Sequence, residues 1–344
     1  MLSEIAPNVG SHHVHLAMLL EAVRVEESVP VQFGRGRKAR HRCAIARSFV
    51  VKAYLNFAST KQFRQVLVSD DALRALCGFW GRVPSESAFS RAFAFLAEVG
   101  FGDLVQMRLI QVHESQTLAI DVARDSSAIV GREKPLKKKK KVKVAKLRRK
   151  PGPKKKGEPP AQIELTRIQR QLDMDPEEAL LEIPTACDFG MKRGSKGDNY
   201  SWVGYKLHAD VLQDGMPVSL FLSSASVHDN QLAIPLMKTT SKRVGAVFYQ
   251  LMDAGYVGEA IPEAARRLGQ VPIIAPKATP TRKAIPLDED RQVRFRGRTV
   301  VERFFSDLKD NRGANHVRVR GPAKVHLHIM FGVLSIMGAI LLTR

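Results

Sequence analysis

The spacing of apolar residues changes once along this chain of 344 residues, and that change restricts the fold more than any other feature. Up to about residue 110, apolar side chains recur every three or four positions, as in "RCAIARSFVVKAYLNFAS". That is the period of one buried helix face. From "TLAIDVARDSSAI" onward, Leu118, Ile120 and Val122 alternate with small or polar residues, the period of a half-buried strand. Helices packed first and a sheet built afterwards exclude both an all-helical bundle and an all-strand barrel. Within the helical part, "DDALRALCGFWGRVPSESAFSRAFAFLAEVG" reads as helix, turn, helix. Gly78 stops the first segment, and the serines of "VPSES" suit the start of the second. A helix-turn-helix DNA reader and an ordinary helical bundle both give this pattern.

After the first strand the chain becomes a basic ribbon. Residues 131–156 hold 15 lysines and arginines against one acid, Glu133, and so carry 14 of the 21 net positive charges. Lys137, Lys138, Lys139, Lys140 and Lys141 form one block, and Arg148 and Arg149 a second. "KPGPKKKGEPP" then sets Pro and Gly among like charges, which denies the ribbon regular structure. The expectation is an insertion over 131–175 that stays disordered without its partner. A ribbon this dense binds phosphates without sequence preference and with strong salt dependence. Together with a net charge of +21 and a pI near 10.1, it points to nucleic acid, with an anionic membrane surface the weaker partner class.

Regular patterns resume at "IPTACDFGMK". "WVGYKLHADV" and "PVSLFLSSASV" follow as strands joined across "LQDG", a hairpin signal. "DNQLAIPLMKTT" reads as a helix with Asp229 as its N-cap. "AVFYQLMD" reads as a buried strand ending on Asp253, "GEAIPEAARRLG" as a helix and "VPIIAP" as a strand. The order is that of a mixed sheet with helices on its faces. Cys43, Cys77 and Cys187 stand far apart with no ligand spacing, which fits a reducing cytosol rather than disulfides or zinc. No signal-peptide pattern opens the chain. "IMFGVLSIMGAILL", at 14 residues, is short of the roughly 20 that span a bilayer and reads as a buried helix.

The candidate chemistry lies in carboxylates. Asp125 follows the first strand, Asp253 ends a later one, and Glu302 sits in "FRGRTVVERFFSDLK" on a stripe with Arg298 and Lys309. Neighbouring strands run about 4.8 Å apart, so acids at facing strand ends can share an ion. Oxygen-only ligands select Mg²⁺ or Mn²⁺, and two such ions suit phosphodiester chemistry. A solvated cap explains any one of these acids equally well. Asp121, in "LAID", shares a strand face with Asp125 and rivals it as the first acid. Trp202 and Trp80 read as core or rim aromatics.

Taken together, these motifs resemble the bacterial insertion-sequence transposases of the DDE type, in the branch with a Tyr-x2-Arg-x3-Glu-x6-Lys signature. Phe295, Arg298, Glu302 and Lys309 fit that spacing, with Phe in the Tyr position. "DSSAIVGREKP" resembles the first-aspartate segment and "LMDAGYVGEAI" the second. "SSASVHDNQLAIPL" and "NHVRVRGPAKVHLHIMFGVL" are similar to the family too, and the likeness runs from about Val68 onward.

The resemblance implies an α/β, RNase H-like catalytic domain with a mixed five-stranded sheet flanked by helices. It would span 111–130 and 176–344, behind an all-helical DNA-binding domain over 1–110. It implies Asp125, Asp253 and Glu302 as catalytic residues holding two Mg²⁺ or Mn²⁺ ions. Phe295, Arg298 and Lys309 would lie beside the DNA. Double-stranded DNA is the implied partner, as element ends and as target, with a homodimer in synapsis, no membrane, and a cytoplasmic, nucleoid-associated location. The alternatives are an RNase H-like nuclease that never joins strands and a decayed transposase that only binds DNA. The missing Tyr hydroxyl at Phe295 is what keeps the last of these open.

Overall fold

The computed structural model describes residues 10–30, 41–135, 165–193, 198–278 and 284–344. Six helices come first: α1 Ser11–Val23, α2 Arg42–Tyr54, α3 Thr60–Ser69, α4 Asp71–Leu76, α5 Glu86–Glu98 and α6 Phe101–His113. Local chemistry sets several of their starts. The side chains of Ser59, Asp70 and Ser85 accept from the backbone N–H groups of Gln62, Leu73 and Ala88, satisfying donors that the first helical turn leaves open. The helix-turn-helix pattern is realised by α4 and α5, with Gly78 in the left-handed region at φ +89°.

Strand β1, Leu118–Val130, follows. After the short helices α7 Arg167–Arg170 and α8 Pro176–Leu181 come β2 Asp188–Arg193, β3 Asn199–Leu212 and β4 Pro217–Ser224. The remaining elements are α9 Ala233–Arg243, β5 Ala246–Met252, α10 Ala260–Arg267, β6 Val271–Ile274, α11 Glu289–Phe295, α12 Thr299–Asp310 and α13 Pro322–Leu341.

Among the described residues the sheet has six strands, one more than expected, in the order β2-β3-β1-β5-β6 with β4 also on β3. The extra strand adds no column. Gly204 pairs with both Val130 and Asp188, and Ala209 with both Asp125 and Leu220. The strands β2 and β4 therefore share the edge of β3 away from β1 and lie end to end. β1 is antiparallel to β3 and parallel to β5, and β5 is parallel to β6. Five columns with these directions make an RNase H-like sheet. Gly204 is required where β1, β2 and β3 meet: at φ +153°, an added Cβ would lie 2.2 Å from the Ile129 carbonyl oxygen.

One continuous core joins helices to sheet. Phe49, Phe93 and Phe331 pack their rings together between α2, α5 and α13, while Leu207 and Val301 on one face of the sheet and Val122 on the other belong to the same cluster. The expected boundary near residue 110 is thus not a break in packing. The apolar C-terminal helix is longer than its 14-residue core: α13 has 20 residues, enough by length and composition to cross a membrane. It is instead packed against α1, α2, α5 and α6, with Val325 and Met330 fully buried. Gly102 lets α6 approach it, since a Cβ there would sit 2.4 Å from Met330 Cβ.

Of the expected disordered insertion, residues 136–164 lie outside the described residues. They include Lys137, Lys138, Lys139, Lys140, Lys141, Arg148 and Arg149. Its ends are folded, contrary to expectation. Glu133 accepts from the Gly321 N–H and from the Tyr205 hydroxyl, and Leu172 packs against the α9–α10 cluster.

Candidate active site

Strand alternation sorts the carboxylates. Arg124 and Asp125 are consecutive on β1, so their side chains leave the sheet on opposite faces. Arg124 turns to the α9 face and Asp125 to the α12 face, where it meets Arg298. The parallel register ends with Arg124 opposite Met252, so Asp125 and Asp253 each follow a residue of that last pair, and the charge of Asp253 reaches the Asp125 carboxyl. Asp121 faces the same way four residues earlier, about 13 Å along the strand, opposite Tyr249. It is committed to Arg294 at 2.9 Å, and that guanidinium lies 4.0 Å over the Tyr249 ring.

The stripe that carries Glu302 is less regular than one helix. α11 ends at Phe295, residues Arg296–Arg298 form a 3-10 turn, and α12 begins at Thr299. The buried face of α12 is Val300, Val301, Phe304, Phe305 and Leu308, packed on β1 and β3. Burying side chains of this size stabilises by about 2 kcal/mol each, so the helix is pinned and its polar stripe is presented along the sheet. Arg298 then reaches both acids: its Nη1 is 2.9 Å from Asp125 Oδ2, and its Nη2 donates to Glu302 Oε1.

Each acid has its own surroundings. Burial raises the Asp125 carboxyl, and the charge of Asp253 adds to the rise, against the Ser126 N–H, Arg298 and Lys192. Asp253 caps a 3-10 turn by accepting from the Gly255 N–H at 2.8 Å. Glu302 is half exposed. The three carboxylates do not form a tight cage. Among the described residues, the set of ligand atoms within 4.8 Å of one another is that of His12, His13 and Asp70. That set is a clasp between α1 and α4: His13 bonds Asp70 at 3.1 Å and also accepts from the Gly10 N–H.

Several polar groups around the site carried no signal in the sequence strong enough to single them out. Lys192 on β2 acts electrostatically on both Asp125 and Lys309. Burial, aided by Lys192, lowers the Lys309 ammonium. Asp229 is not the helix cap that was expected. His228 is the N-cap, and Asp229 accepts from Lys206 Nζ at 2.8 Å and from Ser126. The Tyr256 hydroxyl is buried and makes no hydrogen bond among the described residues, near Asp125, Asp229 and Asp253. Only the long-range strand register brings these groups together. Phe295 is half-buried against the core, 5.9 Å from the Arg298 guanidinium carbon.

Residues 182–337 match the family described as a transposase DDE domain. Over this stretch, just under half of its length, the chain is similar to a transposase DDE domain. No curated protein matches the chain. The DDE domain match spans Asp253, Arg298, Glu302 and Lys309 but starts after β1, so Asp125 enters by its place in the same sheet. Transposase-type function follows for the chain, with metal-dependent DNA chemistry in general terms and DNA as the substrate class.

The donor set suits that chemistry. Carboxylate oxygens are ligands for hard divalent ions, and a carboxyl whose ionisation is opposed by burial and by a second acid gains most from a nearby cation.

Proposed function

We propose that this protein is an insertion-sequence transposase that binds the ends of its element, cleaves DNA there and joins the freed end to a target. Asp125, Asp253 and Glu302 would hold divalent ions, with Mg²⁺ or Mn²⁺ as a pair best suited to an all-oxygen set. Bound there, the ions would supply activation of the attacking hydroxyl and charge stabilisation at the leaving oxygen.

The observation that supports this reading is that Asp125 and Asp253 follow the last pair of the β1–β5 register and interact electrostatically, with Arg298 tying Asp125 to Glu302. Asp125 is preferred to Asp121 because a second acid, Asp253, acts on its carboxyl, whereas Asp121 faces Tyr249 and is held by Arg294. Arg298, when released from the two carboxylates, presents a planar fork suited to a DNA phosphate. Lys309 and Lys192 add positive charge along the same face. Phe295 belongs to the Tyr-Arg-Glu-Lys spacing and fills the aromatic position without a hydroxyl. The lysine blocks over 137–141 and Arg148 and Arg149 would tether DNA non-specifically. A homodimer that synapses two ends and a cytoplasmic, nucleoid-associated location complete the reading.

The experiment is a joining assay with end-labelled element DNA and Mg²⁺. Products longer than the substrate, absent with Glu302→Gln, are expected. Cleavage without longer products would make the protein a nuclease. Equal products from wild type and Glu302→Gln would remove Glu302 from the site.

A further inference from the structure

Away from the carboxylates, a cavity of about 400 Å³ opens between α2, α5, α13 and the segment before α13. Its floor is aromatic, with Phe49, Phe93 and Phe331, and its wall holds Lys52. Lys52 is only 7% exposed, and among the described residues it makes no hydrogen bond or ion pair. A buried ammonium without an anion is costly. Burial, helped by the charge of Arg318, brings the Lys52 pKa down to about 8.

The rest of the lining also favours an anion. Arg318 is exposed at the mouth, and Arg312 lines the cavity while bonded to Asp307 at 3.2 Å. The N-termini of α3 and α5 both reach the cavity, through Ser59 and Thr60 and through Ser87 and Ser90. Their first-turn N–H groups favour negative charge. Among the described lining residues Glu86 is the one acid, and it is exposed. His328 stays neutral, because burial and Lys52 push its pKa down to about 4.

A second groove adjoins the first and shares Ser90, Phe93, Arg318 and Val319 with it. Among its described residues it adds Arg132, Arg320 and Lys324 and no acid. Arg132 stands at the start of the basic ribbon, and Arg320 holds the Arg132 carbonyl at 3.2 Å. A single small anion would need only the cavity. A cavity that opens into a basic groove has the layout of a track for a chain of phosphates.

We propose that the cavity seats a phosphate group at Lys52 and Arg318, and that the adjoining groove carries the neighbouring DNA backbone. The DNA part rests on the function proposed above; the phosphate site does not. Lys supplies a point charge and Arg a fork, so one phosphate can engage both. The site is separate from Asp125, Asp253 and Glu302 and would position DNA rather than cut it.

The test uses the full chain and a labelled duplex of about 30 base pairs of arbitrary sequence, titrated over a salt series. Lys52→Met and Arg318→Glu are each expected to weaken binding about tenfold and to reduce the salt slope by about one. Arg318 is exposed, so its variant keeps the test valid if Lys52→Met folds poorly. Wild-type affinity and slope in Arg318→Glu and in a folded Lys52→Met would overturn the proposal. If the wild type binds no duplex, the DNA reading falls, and inorganic phosphate becomes the probe. A rise in melting temperature with phosphate, lost in Arg318→Glu, would retain a phosphate site for the free anion; no rise would remove it.

Discussion

Arg124 and Asp125 are neighbours on β1, yet the two faces of the sheet treat their charges in opposite ways. On the α9 face, Arg124 and Asp210 are both 0% exposed and paired twice, at 2.7 and 2.6 Å. The Thr240 hydroxyl donates to the same carboxylate at 2.6 Å. That pair is closed, and the Asp210 oxygens are engaged by the protein itself. On the α12 face, Asp125 and Arg298 stay partly open, and Arg298 divides itself between two acids while a third, Asp253, adds repulsion. A satisfied buried pair maintains the fold. An open, like-charged cluster is, on the proposed function, the place where a cation and a phosphate would replace the protein's own partners.

The largest effect that would break this contrast is catalytic. Asp125→Asn should lower metal-dependent cleavage of element DNA about a thousandfold, as expected when a group that stabilises a transition state is lost. Its unfolding free energy should fall by less than about 1 kcal/mol, because the ion pair it loses is partly solvated. Asp210→Asn should do the reverse. It leaves Arg124 buried without its counter-charge, at a cost of roughly 3–5 kcal/mol in denaturant unfolding. A similar stability loss in both variants would erase the distinction between the faces.

The closed face also predicts a pH response. His208 is fully buried against Ser223, and burial pushes its pKa down to about 4 from 6.5. The unfolded chain therefore takes up the proton first as pH falls. Stability should be complete above pH 6.5 and decline toward pH 4, by up to about 3 kcal/mol from this residue. His208→Gln should flatten part of that acid limb, with His328, also near 4, supplying the remainder. An unchanged limb would mean that His208 is not held neutral. The smallest effect belongs to the open face. Phe295→Tyr restores a hydroxyl beside Arg298 and should raise cleavage by no more than about threefold. A much larger gain would show that the hydroxyl is central to the chemistry.

Much of the open face was legible because its signals are local. Asp125 sits on an alternating strand, Asp253 at the end of an apolar one, and Arg298, Glu302 and Lys309 at helical spacing. The choice between Asp121 and Asp125 was not legible. Both share a strand face, and only the long-range register, which ends with Arg124 opposite Met252, tells them apart. The closed face was almost silent. Arg124 and Asp210 meet across 86 residues through the β1–β3 register, and no short motif encodes that pairing. The misplaced cap has the same origin, since Asp229 is drawn to Lys206 on β3 and leaves His228 to start the helix.

Direct counting of bound Mn²⁺ by electron paramagnetic resonance reaches the central claim without requiring turnover. Wild type should take up Mn²⁺ tightly, and Asp125→Asn, Asp253→Asn and Glu302→Gln should each lose or weaken that uptake while remaining folded. Equal uptake by all four proteins, or none by the wild type, would contradict a shared ion site at these three side chains.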